Sequence, residues 1–113
     1  MWWRARTRAG CRMGVRSFLT ATARCACLNW RMIRGAIEGD PSVLRKFRGI
    51  AAAARDAWDA LCAADPDALG AAVAGEWKIR RTLAEDVSPR KVEDLLAGRV
   101  FRRMVSGAKL CGA

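Results

Sequence analysis

"DPSVLRKFRGIAAAARDAWDALCAADPDALG", residues 40–70, holds two Asp-Pro pairs 25 positions apart, and what lies between them sets the architecture. An aspartate oxygen accepts from the orphan N–H groups of a helix's first turn. A proline in the next position loses no hydrogen bond there and already has a helical φ. Asp40-Pro41 and Asp65-Pro66 therefore each predict a helix start. After Pro41 the apolar positions Val43, Leu44, Phe47, Ile50, Ala51, Ala54, Trp58, Leu61 and Cys62 recur at three and four residues, which predicts a helix running to about Ala63. After Pro66, Leu69, Val73, Trp77, Arg80 and Leu83 or Ala84 trace a second stripe, with Glu76, Lys78 and Arg81 turned toward water. Only Ala64-Asp65 joins the two helices. A link so short forces them into an antiparallel hairpin with their stripes facing.

Outward from this hairpin the same signals recur more weakly. Ser88-Pro89 predicts a shorter helix with Val92, Leu95, Leu96 and Val100 on its inner side and Gly98 as an early stop. Upstream, Asn29 is placed as the cap of a helix carrying Trp30, Ile33 and Ile37, closed by Gly39. The tail from Gly107 to Cys111 alternates Ala108 and Leu110 with Lys109, which suits one strand. A lone strand needs partners, and the weak candidate is Val15 to Ala21.

The chain has 113 residues and a net charge of +10, placed unevenly. Residues 1–37 hold eight arginines and no acid, whereas 41–113 hold 13 basic and 9 acidic residues. An Arg-rich, acid-free start suits a transit peptide or a grip on phosphate backbones, and its composition also suits a segment outside the fold. Residues 1–28 are accordingly set apart from a domain spanning 29–113. Five cysteines, an odd number, with Cys25 and Cys27 in a C-x-C spacing, make neither a secreted disulfide framework nor a zinc ribbon, so thiols in the cytoplasm are expected. Cys62, on a helix face, reads as a small buried hydrophobe. The absence of histidine removes His-ligated zinc and His-based general acid–base or triad chemistry. No stretch reaches the apolar length of a membrane span, and no metal site is expected.

With these elements placed, the chain from Asn29 onward resembles the C-terminal region of the GHMP-family small-molecule kinases, in particular the branch acting on heptose 7-phosphate, fucose or galactose-type sugars. The stretches that carry the resemblance are "NW" at 29–30, "IEGDPSVLRKF" at 37–47, "DALG" at 67–70, "EWKIRRTLAEDVSP" at 76–89 and the terminal "GAKLCGA" at 107–113. The order of a Trp helix, a Ser-Pro capped helix and a Gly-Ala-Lys-apolar strand is its most specific part. It implies helices within an α+β, ferredoxin-like kinase domain. It also implies phosphoryl transfer from ATP, with Mg²⁺, to a hydroxyl or anomeric oxygen of a sugar or sugar phosphate. In that family the terminal strand enters a loop of glycines whose backbone N–H groups approach bound phosphates, because glycine permits positive φ and close approach. Gly112 and Ala113 match the first two positions of that loop.

The departures matter as much. The family's phosphate-cradling loop, Pro-x-x-x-Gly followed by Leu and paired serines, belongs to its N-terminal half. Pro66 to Gly70 mimics the first five positions, but Ala71, Ala72 and Val73 follow without a hydroxyl, inside a capped helix. Nothing here matches the family's substrate-orienting aspartate, so no catalytic residue is assigned. Gly75-Glu76-Trp77-Lys78 reads as helix packing with a solvated charge pair. Residues 1–24, crowded with Trp, Arg, Cys and Gly, have the composition of a GC-rich gene read in a shifted frame. The expectation is a truncated or frame-disrupted kinase, inactive alone. The competing expectation is a small basic helical protein that binds nucleic acid through its N-terminal arginines, with Trp2 and Trp3 stacking beside Arg4 and Arg6.

Overall fold

The computed structural model describes residues 2–6, 12–16, 26–83 and 87–111. Its elements are β1 (Trp2–Arg6), β2 (Arg12–Arg16), α1 (Ala26–Ile37), α2 (Pro41–Ala63), α3 (Pro66–Arg80), α4 (Arg90–Ala97) and α5 (Arg99–Met104). β1 and β2 pair antiparallel, and theirs is the only sheet among the described residues.

The two Asp-Pro pairs act as their chemistry dictates. The Asp40 carboxylate accepts from Ser42 N at 2.8 Å and from Val43 N, and that of Asp65 accepts from Asp67 N at 3.1 Å and Ala68 N at 3.0 Å. α1 and α2 also close alike. Gly39, at φ +78°, follows α1, with Gly39 N donating to Ala36 O and Asp40 N to Gly35 O. After α2 the same pair of bonds runs from Ala64 N to Leu61 O and from Asp65 N to Ala60 O, around a φ of 56° at Ala64. An alanine in the left-handed region bears a steric cost that glycine avoids. Ala64→Gly is expected to stabilise the fold by about 0.5–1 kcal/mol, read as a raised urea midpoint with an unchanged slope.

α2 and α3 form the antiparallel hairpin, but not along the stripe that hydrophobicity suggests. The seam is made of small residues. A Cβ on Gly49 would come 2.8 Å from Ile79 Cδ1, and Ala53 and Ala60 are buried on the same side of α2. Lys46 Nζ reaches Thr82 O at 2.6 Å further along. Small side chains let two helix backbones approach closely and gain dispersion contact. The larger residues lie round the helix from that seam, so Ala54, Trp58, Leu61 and Cys62 are exposed rather than facing α3.

Other expectations are corrected. Asn29 lies inside α1, which begins at Ala26, so it caps nothing. Ser88 does not cap α4. Pro89 occupies the cap position with no side-chain bond, and Ser88 Oγ donates to the Glu93 carboxylate instead. Gly98 does end α4, but the chain resumes as α5, whose Val100 is exposed rather than inward. α3 ends at Arg80, short of Leu83.

The ferredoxin-like α+β arrangement with a C-terminal strand is not what the described residues form. The fold is mainly helical, and residues 107–111 have no strand partner. They instead lie along α3. Ser106 Oγ faces Asp67 Oδ1 at 3.3 Å, Gly107 abuts Gly70, Lys109 Nζ faces Glu76 Oε2 at 3.3 Å, and Leu110 packs against the cluster of Trp77 and Val87. From Gly70 to Trp77, α3 rises about 10 Å at 1.5 Å per residue. Three residues of tail cover that distance only when nearly extended. The alternation of Ala108, Lys109 and Leu110 is that of an extended chain, but its apolar and charged sides are satisfied by a helix instead of a sheet.

Candidate functional site

The most polar buried region lies where this strap meets the C-terminal half of α3. Glu76 is only 6% exposed, against the expectation that it faces water. Its Oε1 accepts from Arg80 Nε at 2.5 Å, one turn on, and its Oε2 faces Lys109 Nζ from the strap. The latter is an ion pair without hydrogen-bond alignment, so Oε2 has no hydrogen-bond donor among the described residues. One buried carboxylate thus ties the tail to α3 through charge. Beside it Trp77, 4% exposed, packs with Val87, Leu96 and Leu110. Its indole Nε1 also has no hydrogen-bond partner among the described residues.

A second polar cluster fixes the turn after α3. Arg81 Nη1 donates to Glu93 Oε2 at 2.9 Å while Glu93 Oε1 receives Ser88 Oγ, so one glutamate of α4 holds both ends of the loop between the helices. Thr82 Oγ1 closes back on Ile79 O at 2.7 Å. Together these bonds set the turn that carries Val87 over Trp77.

No protein-family model matches the chain, and no curated protein or solved structure matches it. The site is therefore assessed on its own chemistry. Gly112 and Ala113, placed by resemblance at the start of a glycine loop, lie outside the described residues. Pro66 to Gly70 forms the opening turns of α3. Gly70 is buried under Ser106 and Gly107, where a Cβ would come within 2.7 Å of the Ser106 carbonyl carbon. It serves chain-to-chain approach, not phosphate. Among the described residues no three Cys, Asp or Glu side chains are grouped to hold a metal ion, and no helix is long and apolar enough to cross a membrane. Cys62 and Cys111 are free and exposed, which corrects the buried reading of Cys62.

Sequence reasoning missed two features: the burial of Glu76 and the close pairing of Gly70 with Gly107. The second had a signal. A glycine inside a helix costs about 1 kcal/mol against alanine unless something approaches it closely. The first had none, because a glutamate one position from a stripe has the sequence signature of a solvated residue. Glu76→Gln is expected to cost about 1–2 kcal/mol. The buried position loses both ion pairs, but Arg80 and Lys109 are each about one-third exposed and turn to water. Lys109→Gln should cost less than Glu76→Gln in chemical denaturation, since it leaves the Arg80 pair intact.

Proposed function

We propose that this chain is a piece of an ATP-dependent sugar kinase of the GHMP type, from the helical side of its C-terminal region, and that it is catalytically silent alone. One observation carries the reading. The two stretches in which the resemblance is most specific, 76–89 and 107–111, are far apart in sequence yet meet around one core of Trp77, Val87 and Leu110, with Lys109 on Glu76. That contact supports both stretches belonging to one domain, with 107–111 lying as a strap on α3 in place of the strand the resemblance implies.

Among the described residues there is no hydroxyl-bearing phosphate loop of the family's kind, and no three Cys, Asp or Glu side chains are grouped to hold a metal ion. Phosphoryl transfer depends almost entirely on positioning and charge stabilisation by such parts. Incubation of the isolated chain with ATP, Mg²⁺ and galactose, fucose or heptose 7-phosphate should therefore yield no sugar phosphate, and turnover would remove the fragment reading. The family reading has its own test in the gene. Sequencing with flanks should reveal, in some frame, a Pro-x-x-x-Gly-Leu loop with paired serines upstream and a glycine run downstream. Finding neither sinks it.

A second reading, polyanion binding through the N-terminal arginines, is favoured by the register of the β1–β2 ribbon. The pairs Trp2↔Arg16, Arg4↔Gly14 and Arg6↔Arg12 fall on one face, and Trp3↔Val15 and Ala5↔Met13 on the other. All four arginines of the ribbon hold positions on a single face together with Trp2, opposite a wholly apolar one. Arg6 and Arg12 are direct partners in that register. Titration of single-stranded DNA should give an affinity falling with salt at a log–log slope of roughly −3, the value for four neutralised phosphates. No binding at about 50 mM salt removes this reading.

A further inference from the structure

Two apolar surfaces are left uncovered in this chain, and they differ in charge. On α1, Trp30, Ile33 and Ile37 recur at helical spacing and are 58%, 48% and 68% exposed. The opposite side of that helix is the one packed on α2, where a Cβ on Gly35 would come 2.7 Å from Val43 Cγ2. On the C-terminal half of α2, Trp58 and Leu61 are 67% and 41% exposed beside the exposed Ala54. Each stripe extends over eight residues, about 10 Å of helix from end to end. The two are equal in length.

Their surroundings are of opposite sign. α1 has no acidic residue, and its exposed Arg31 and Arg34 flank the stripe. Arg34 Nε donates to Glu38 Oε1 at 2.6 Å, an internally neutral pair, so the net positive charge beside the stripe is that of Arg31. At the far end of the hairpin, Asp56, Asp59, Asp65 and Asp67 are all exposed, and Arg55 is the one cation within residues 54–67. With roughly 200 Å² for a large side chain, the five apolar residues expose roughly 550–600 Å² in one copy. Reciprocal burial in two copies then covers roughly 1,100–1,200 Å², above the ~1,000 Å² that a specific interface needs.

We propose that two copies of this chain pair about a two-fold axis, the Trp30–Ile33–Ile37 stripe of each lying on the Ala54–Trp58–Leu61 shelf of the other. The basic helix of one copy then meets the acidic hairpin end of the second, and the rotation repeats that contact once, which closes the assembly. This inference does not rest on the kinase reading. Each contact brings together two exposed tryptophans, Trp30 of one copy and Trp58 of the other, a residue type enriched among those that dominate interface energy.

The test is sedimentation equilibrium of the full chain and of the variants Trp58→Glu and Ile37→Glu, whose exposed positions leave the fold intact by circular dichroism. The wild type should sediment at twice the 12.4 kDa of one chain. Each variant should raise the dissociation constant about 30-fold or more. A wild type that stays monomeric up to about 100 μM overturns the proposal. A dimer indifferent to either substitution overturns it equally, since both faces belong to every contact.

Discussion

Replacing Trp77 by alanine is expected to destabilise the fold by about 3–5 kcal/mol, the range for truncating a buried aromatic side chain. The magnitude follows from position. Trp77 is the residue on which Val87, Leu96 and Leu110 converge, so one side chain joins α3, the turn after it, α4 and the terminal strap. Against a total stability of about 5–15 kcal/mol for a domain, its loss leaves a marginal chain. Trp77→Phe is expected to behave differently. It keeps most of the ring contact and removes the indole Nε1, which is buried without a hydrogen-bond partner among the described residues. Deleting a polar group that pays desolvation without compensation recovers roughly 1–3 kcal/mol, so the phenylalanine variant should lie within about 1.5 kcal/mol of wild type. Urea unfolding followed by far-ultraviolet circular dichroism measures both. A phenylalanine variant as unstable as the alanine one would mean that the indole nitrogen is satisfied in the folded protein.

The contrast between these substitutions bears on what the sequence can reveal. Helix starts were legible because a cap is local chemistry. Asp40 and Asp65 bond to backbone within three residues of themselves, and no distant element alters that. Where a cap was misread, at Ser88, a competing acceptor five residues on captured the hydroxyl. The hairpin was legible too, from the length of its link. Its packed face was not. Large apolar residues were expected in the seam, but two helices gain more contact by closing on Gly49, Ala53 and Ala60, and this turns Trp58 and Leu61 outward. The periodicity of a stripe tells that a helix has an apolar side without telling what covers it. The uncovered stripe on α2 is thus the same fact that motivates pairing between copies.

The terminal segment was misread for a related reason. Alternation identifies an extended chain, and strand is the usual outcome because a sheet satisfies its backbone. Here the extended chain is accepted by a helix, which requires a place where backbone can lie on backbone. Gly70 and Gly107 are that place. Neither residue alone predicts it, since a glycine in a helix and a glycine in a tail each have commoner explanations.

Gly107→Ala is therefore expected to cost about 3 kcal/mol, at the upper end of overpacking effects. An added Cβ would overlap the Gly70 carbonyl oxygen and come 2.7 Å from its carbonyl carbon and 2.9 Å from its Cα. These are backbone atoms of a helix and cannot swing aside, so the strap must lift. Lifting it withdraws Leu110 from Trp77 and Lys109 from Glu76. Gly70→Ala meets the same strap from below, against Ser106, and should be destabilising by a similar mechanism. The double variant separates this account from two independent clashes. Once Gly107→Ala has released the strap, nothing lies over position 70, and alanine there gains the helix preference of about 0.5–1 kcal/mol that glycine lacks. The double variant should then be no less stable than Gly107→Ala alone, a coupling of the size seen only between residues in contact. Simple addition of the two costs in a urea-unfolding cycle would show that the tail is held elsewhere, and that the meeting of the two glycines is not what fastens it to α3.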